Sequence, residues 1–298
     1  MNEHRYALSV VIPVWNGAQY IAATLDSVAR QNVADVEVIV VDGASTDGTQ
    51  GIVERSGLPR LTLISRPDRG QLEALQTGVA QARGDIVMWL NADDIVMPGA
   101  FQAVLEAFHA NPEADFVYSD DCAFDEAARG FYYGAGIRGL RDWDHLLFYR
   151  QMYSECVYWR REVTSLLPES AYDLRVYTDY AFFLNLRWGR KGLWLKRRLG
   201  AFRMRDDQNS QAFHERKERE YRRVKQEHCQ RIGLGPVRFR LYRMLYAPWY
   251  WPRHVLRPAL QRGLRKLGRI LTADRRRKAE TATFYDHWLT PGGGSGNG

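Results

Sequence analysis

The apolar positions of this chain follow two alternating periods. Short, mostly apolar runs rich in Val, Ile and Leu, typical of strands buried on both faces, fall at about 8–12, 36–41 (broken by one acid, Glu37), 61–65 and 85–90. Between and after them, at about 18–31, 48–56, 71–83 and 98–110, apolar residues recur every three or four positions, the period of an amphipathic helix. This alternation predicts right-handed βαβ crossovers and a parallel sheet covered on both faces. Phe116-Val117-Tyr118-Ser119 adds another strand. Beyond Asp120 the pattern is less regular and richer in aromatics, with one apolar helical run at Tyr180-Ala181-Phe182-Phe183-Leu184. The expectation is an α/β fold: a Rossmann-like, mostly parallel sheet with helices on both faces, plus a helical, basic C-terminal extension.

Composition fits one large core with an appendage, since the 298 residues are 45% apolar and 26% charged. Charge is unevenly placed. The formal net charge is +7, yet residues 236–278 carry thirteen basic residues against one acid, Asp274, so the rest of the chain is net acidic. Within that block Leu256, Leu260, Leu264, Leu267 and Leu271 repeat at helical spacing, interleaved with Arg262, Arg265, Lys266 and Arg269. Tyr246, Trp249, Tyr250 and Trp251 precede them. A basic helix with an apolar stripe and an aromatic cluster reads as an interfacial anchor on an anionic membrane surface. The competing readings are a stripe docked on the protein's own core and charge that attracts nucleic acid. No nucleic-acid motif accompanies the charge, so no nucleic acid is expected as partner.

No stretch approaches the roughly 20 apolar residues of a membrane span. The apolar run near the start is too short for a signal-peptide core. Cys122, Cys156 and Cys229 are far apart, and an odd number fits a reducing compartment. The protein is therefore expected in the cytoplasm, peripheral on the cytoplasmic face of the membrane. Residues 291–298, rich in Gly, read as a flexible tail or a scar of expression.

Candidate chemistry sits at the ends of the strands. The run at 85–90 delivers Asn91-Ala92-Asp93-Asp94 to the carboxyl edge of the sheet, where open α/β folds bind ligands. Adjacent carboxylates repel, and the pair becomes favourable when a divalent cation neutralises it. The alternative is that Asp94 caps the helix at 98–110. The run at 36–41 ends in Asp42-Gly43-Ala44-Ser45-Thr46-Asp47-Gly48-Thr49. An ordinary βα turn accounts for its glycines and Asp47, but not for a carboxylate fixed at the strand end. The first strand ends in Pro13-Val14-Trp15-Asn16-Gly17.

The stretches VVIPVWNG, VIVVDGASTDGT, RPDRGQLEALQTG and GDIVMWLNADD, with a fifth at Tyr177-Thr178-Asp179-Tyr180, resemble the family 2 glycosyltransferases of the A-type, nucleotide-diphospho-sugar transferase fold. The similarity runs over roughly residues 7–205, with the motifs in the usual order and spacing. It implies a nucleotide-diphospho-sugar donor, and Mn²⁺ or Mg²⁺ held by Asp94 and Asp93, with Asp93 also on the ribose or donor sugar. It implies that Asp42 accepts from the base, that Pro13, Trp15 and Asn16 form its platform, and that Ser45 lies nearby. Arg69, Gln71 and Asn91 would contact donor phosphate or sugar, though Arg69 is equally readable as a solvated charge. Many family members carry Asn at the position of Gln76 and Asp at that of Asn91.

The resemblance also implies that Asp179 is the general base of an inverting transfer; a helix cap is the other reading of that carboxylate. Asp120 and Asp121 are runner-up bases. Asp121, Glu155, Trp159 and Arg203 are candidates on the acceptor side, Arg203 standing with Arg205 and Asp206 where relatives place a His-containing loop over the diphosphate. Residues 1–119 are expected to bind donor, 120–235 to form the acceptor-binding and catalytic half of the same domain, and 236–290 the basic extension. The expected activity is sugar transfer to a glycan or lipid-linked acceptor in cell-surface polysaccharide synthesis. A nucleotidyltransferase of related sheet and a non-catalytic nucleotide-binding scaffold are the alternatives. The first should carry a Gly-rich loop with Lys or Arg near the start, which VVIPVWNG does not.

Overall fold

The computed structural model describes residues 6–251 except 126–129, 134–136, 138, 140, 149–151, 165–166, 168 and 206–213. Asp206, the leucine stripe at 256–271 and the tail at 291–298 therefore lie outside the described residues.

The first half alternates as its periodicity dictates: β1 (Leu8–Val14), α1 (Ile21–Ala29), β2 (Val36–Asp42), α2 (Thr49–Arg55), β3 (Leu61–Ser65), α3 (Gln71–Gln81) and β4 (Ile86–Trp89). Next come β5 (Ile95–Val96), α4 (Ala100–Ala110), β6 (Phe116–Ser119), β7 (Cys122–Asp125) and β8 (Gly130–Tyr133). The remainder is α5 (Asp142–Phe148), β9 (Val157–Arg160), α6 (Thr178–Arg187), β10 (Gly192–Leu195), β11 (Gly200–Arg203), α7 (His214–Arg231) and α8 (Pro236–Trp251).

Seven strands form the main sheet in the order β10-β6-β9-β4-β1-β2-β3. All its neighbours pair in parallel except β9, which runs antiparallel to both β4 and β6. Every residue of β1 and β4 is buried, as two-faced coverage demands. One apolar cluster joins the sheet to α3 and α6, the other joins it to α1 and α4. Gly78 lets α3 approach closely, since a Cβ there would stand 2.4 Å from Val11 Cγ1. The acid that interrupts β2, Glu37, is buried at the amino edge, where it accepts from Ser9 Oγ at 2.5 Å and from the Arg83 amide at 2.6 Å.

The chain winds from β1 through β2 to β3 in one direction, then places β4 on the other side of β1. That reversal opens a crevice at the carboxyl ends of β1 and β4. A small second sheet, β5-β11-β7-β8, lies beyond it.

Candidate active site

The donor side of the crevice is a set of loops tied to one another by side chains. After β1 the chain turns through Asn16, whose φ of 50° is unusual for a non-glycine residue but tolerated by Asn. Its amide donates to Ser45 Oγ at 2.7 Å, and its own Oδ1 accepts from the Thr46 amide at 3.0 Å. Asp47 accepts from the Ala18 amide at 2.9 Å, so these three hydrogen bonds tie the first loop to the second. Trp15 projects at this rim, 71% exposed, while Pro13 is buried within β1.

Asp42, at the end of β2, is wholly buried. Ser45 Oγ donates to one carboxylate oxygen, and Ser65 Oγ (2.6 Å) and Gln50 Nε2 (2.9 Å) donate to the other. Burial pushes this carboxyl up, but the bonds from Ser45, Ser65 and Gln50 outweigh burial and hold it below the usual carboxylate range. Asp42 is thus a fixed anion. Sequence reasoning missed Gln50 and Ser65, although both stand at loop ends facing the motif that carries Asp42.

Arg69 is held by Glu73 at 2.8 Å and lies over the Tyr172 ring at 4.0 Å, which aims it toward the later half of the chain. Gln71 opens α3 and donates to Asn91 Oδ1 at 2.9 Å. Asn91 is the hub of the crevice. Its Oδ1 also accepts from Trp89 Nε1 at 2.9 Å, and its Nδ2 donates to Asp94 Oδ2 at 3.0 Å and to Ser154 Oγ at 3.1 Å. Because Trp can only donate, the amide orientation is fixed.

Asp94 is fully buried, and its other oxygen accepts from the Arg203 amide at 2.9 Å. Burial and then the neighbouring Asp93 charge push its carboxyl well above the usual range. The reading of Asp94 as a cap for α4 is set aside, since Gly99 stands at that N-cap. Asp93 pairs with Arg205 at 3.3 Å. Asp93 and Asp94 offer hard oxygens of the kind a divalent cation takes, while among the described residues no group of three or more His, Cys, Asp or Glu is placed to hold a metal ion.

Across the crevice, Glu155 sits in a short 3-10 turn, Ser154–Cys156, and is 1% exposed. Burial raises its carboxyl first, then the charge of Asp94, with smaller contributions from Asp121 and Asp179. Asp94, Asp121, Glu155 and Asp179 therefore share one electrostatic field. Asp179 occupies the second position of α6, where a carboxylate suits the helix dipole, and accepts from the Tyr180 amide at 2.7 Å. Asp120 is committed elsewhere, accepting from Trp194 Nε1 at 2.9 Å and the Ile137 amide at 2.8 Å.

Two expectations for the acceptor side need correction. Trp159 lies fully buried on β9, bonded to Thr164 and packed on Phe182 and Phe183, so it offers no surface to a ligand; a large aromatic on a central strand belongs to the core. Arg203 is 2% exposed, its Nε bound to the Asp93 carbonyl at 2.7 Å and its guanidinium lying over Phe124 and Tyr20. It braces the Asp93-Asp94 loop from behind instead of reaching over a diphosphate. Arg205 also lies over Tyr20, and it pairs with the Asp93 carboxylate.

A further anchor lies far downstream. Glu220 of α7, 5% exposed, accepts from three successive amides, Arg175 (3.1 Å), Val176 (2.9 Å) and Tyr177 (3.2 Å), and from Arg216 Nε at 2.6 Å. These amides lead directly into Thr178 and Asp179.

Over residues 9–154 the chain matches the family described as Glycosyl transferase family 2. A PGL/p-HBAD biosynthesis glycosyltransferase of Mycobacterium tuberculosis is 33% identical over 178 residues, covering 58% of this chain and 67% of that protein. The chain belongs to glycosyl transferase family 2. It is an enzyme of the nucleotide-sugar transferases, and its α/β sheet matches theirs. The S. aureus TarS 1–349 structure in complex with UDP-GlcNAc superposes with a TM-score of 0.63 at 17% identity, covering 95% of this glycosyltransferase and 80% of that chain. Another TarS 1–349 structure gives 0.53 at 21% identity over 66% of this chain and 60% of that one. The mannosyltransferase PcManGT from Pyrobaculum calidifontis, in complex with GDP-Man and Mn²⁺, gives 0.56 at 21% identity over 96% of this chain and 86% of that one. At these identities the structural likeness speaks for the fold alone.

Proposed function

We propose that this glycosyltransferase moves a sugar from a nucleotide-diphospho-sugar to a hydroxyl of a glycan or lipid-linked acceptor, with inversion and with the help of a divalent ion, at the cytoplasmic face of a membrane in cell-surface polysaccharide synthesis. The observation that carries the reading is the grouping of Asp94, Asp121, Glu155 and Asp179 in one field, on a crevice whose other wall fixes the Asp42 anion.

Asp42 and the interlocked loops after β1 and β2 would seat the nucleoside, with exposed Trp15 as its platform. Asp93 and Asp94 would hold Mn²⁺ or Mg²⁺, which when bound supplies Lewis-acid stabilisation of the departing diphosphate. Asp179 takes the proton of the acceptor hydroxyl as its oxygen bonds the anomeric carbon. The bond from that carbon to the diphosphate oxygen breaks on the opposite face, and the diphosphate leaves with the electron pair. General-base help of this kind is typically worth roughly 10²–10⁴-fold. The neutral form of Glu155, favoured by burial, keeps a further negative charge away from Asp94. The donors named in the TarS and PcManGT complexes, and the metal in the latter, support the same reading.

The test is a thermal-shift screen of nucleotides and nucleotide-sugars with and without Mn²⁺, followed by NMR of the product. A donor that stabilises the native state raises Tm by mass action. Product with retained anomeric configuration would sink the single-displacement mechanism.

A further inference from the structure

α8 has two apolar faces, and the fold covers one of them. At about 100° per residue, Phe239, Tyr242, Tyr246 and Tyr250 share one side of Pro236–Trp251. Tyr242 stacks on Trp143 with ring centroids 4.7 Å apart, and Tyr250 stacks on Phe148 at 3.9 Å, both partners lying on α5. The Tyr246 and Tyr250 rings that the sequence suggests for a membrane interface are therefore packed on the protein itself. The opposite side presents Val237, Leu241, Met244 and Leu245, which are 77%, 55%, 73% and 69% exposed, with Pro248 in line after them. Single exposed aliphatics are ordinary, but a stripe running along three helical turns marks a contact surface. Arg238 and Arg240 border the stripe on its two sides, and the helix contains no acid.

We propose that this outer face of α8 lies in the headgroup layer of an anionic bilayer and that it, not the aromatic cluster, is the docking surface. The partner must be apolar and anionic at once. A nucleic acid supplies phosphate without an apolar layer, and a second copy of the face would set arginine against arginine. The excess of thirteen basic residues over one acid in 236–278 favours the same anionic partner. At about 1.5 Å per residue the helix is long enough to lie along the interface, and no described helix is long and apolar enough to cross a membrane. The inference rests on the sugar-transferase reading for its purpose. α8 is stacked on α5, and α5 is bonded to α6 through Tyr180 OH and the His145 carbonyl at 3.0 Å, so docking would fix the height of the cleft above the lipid.

The experiment is co-sedimentation of the full chain with vesicles of phosphatidylcholine mixed with phosphatidylglycerol, beside vesicles of phosphatidylcholine alone. The variant Leu241→Ser/Met244→Ser is compared with wild type. The expected result is pelleting with the anionic vesicles only and at least about tenfold weaker partition of the variant, with Tm and the donor-induced thermal shift unchanged. Absence of wild-type pelleting, or equal pelleting of the variant, overturns the proposal. So does a large fall in the variant's Tm, which would mean that the chain covers this face itself, or a dimer in analytical ultracentrifugation that the variant abolishes. The donor-induced thermal shift needs no membrane. Its loss in wild type would count against the sugar-transferase reading and leave the vesicle result to stand separately.

Discussion

Replacing Glu220 by Ala should cripple turnover while leaving donor binding nearly intact. The carboxylate is the acceptor for the amides of Arg175, Val176 and Tyr177, and these lead through Thr178 to Asp179. Leaving three amides without their acceptor costs roughly 1–3 kcal/mol for each that water cannot reach. Some will be rehydrated at the edge of α7, so a total loss of about 3 kcal/mol is the working figure. The ion pair with Arg216, whose side chain is 38% exposed, adds little of this. Once the segment is released, Asp179 no longer meets the acceptor hydroxyl at a fixed distance. A misplacement of about 1 Å costs on the order of 10²-fold.

The assay is steady-state transfer with varied donor, beside calorimetric donor binding. The expectation is a kcat lowered by about 10²-fold with KM for the donor within about twofold, because the lost interaction matters in the transition state. Glu220→Gln, which keeps one acceptor oxygen, should fall between Ala and wild type. In an Asp179→Asn background Glu220→Ala should cost little further activity, since both changes disable one group. A Glu220→Ala enzyme that loses stability yet keeps kcat would refute the reasoning and leave Glu220 a purely structural clamp.

Asp94→Asn should abolish transfer and Asp93→Asn should weaken it severely, with little loss of Tm in chelator; full activity of the wild type in chelator would remove the metal from the mechanism. Asn91→Asp replaces two donated hydrogen bonds with a third negative charge beside Asp94, so Tm in chelator should fall by the equivalent of about 2 kcal/mol and recover with Mn²⁺; a variant more stable in chelator would contradict the assigned amide orientation. His228, 3% exposed, has its ring pushed down from 6.5 to about 4 by burial and then by the Arg231 charge. Its stabilising contribution is therefore complete above pH 6.5 and lost as pH falls toward 4, about 3 kcal/mol in all, and His228→Gln should flatten that part of a urea-unfolding pH profile. In Gly200→Ala the new Cβ would stand 2.2 Å from the Glu155 carbonyl oxygen, so the forced shift should cost about 1–3 kcal/mol in unfolding; an unchanged Tm would show that β11 gives way freely.

The donor half was legible because local signals and tertiary placement coincide there. β1, β2 and β4, buried almost throughout, read as mostly apolar runs, β3 keeps that character at the sheet edge though half-exposed, and their helices carry a clear 3.6-residue period, so these strands and α1 to α4 fall within a few residues of expectation. β9 was hidden for a physical reason. Val157–Arg160 is inserted antiparallel between β4 and β6 from far along the chain, and four residues hold too little pattern to announce a partner. That strand buries Trp159, which the resemblance alone suggests for the acceptor side. β5, β7, β8 and β11 are no longer than β9, and β11 buries Arg203, which the resemblance places among the acceptor-side candidates.

Asn91 shows where resemblance stops and geometry takes over. Set against a motif, it is a departure that removes a carboxylate from the metal side of the site. Set in the crevice, it satisfies four partners, Gln71, Trp89, Asp94 and Ser154, and an amide suits all four, because Trp89 and Gln71 require an acceptor while the Asp94 carboxylate requires a donor. An Asp in its place would meet Asp94 as a like charge in a buried site, where repulsion is least screened. With Asn91, the Asp94 carboxylate is oriented by a neutral neighbour, and Asp93 is the like charge that bears on it most. The substitution thus changes which residue holds Asp94 in place, and it ties that carboxylate to Gln71 at the start of α3, so the donor loop and the proposed metal ligands are set by the same side chain.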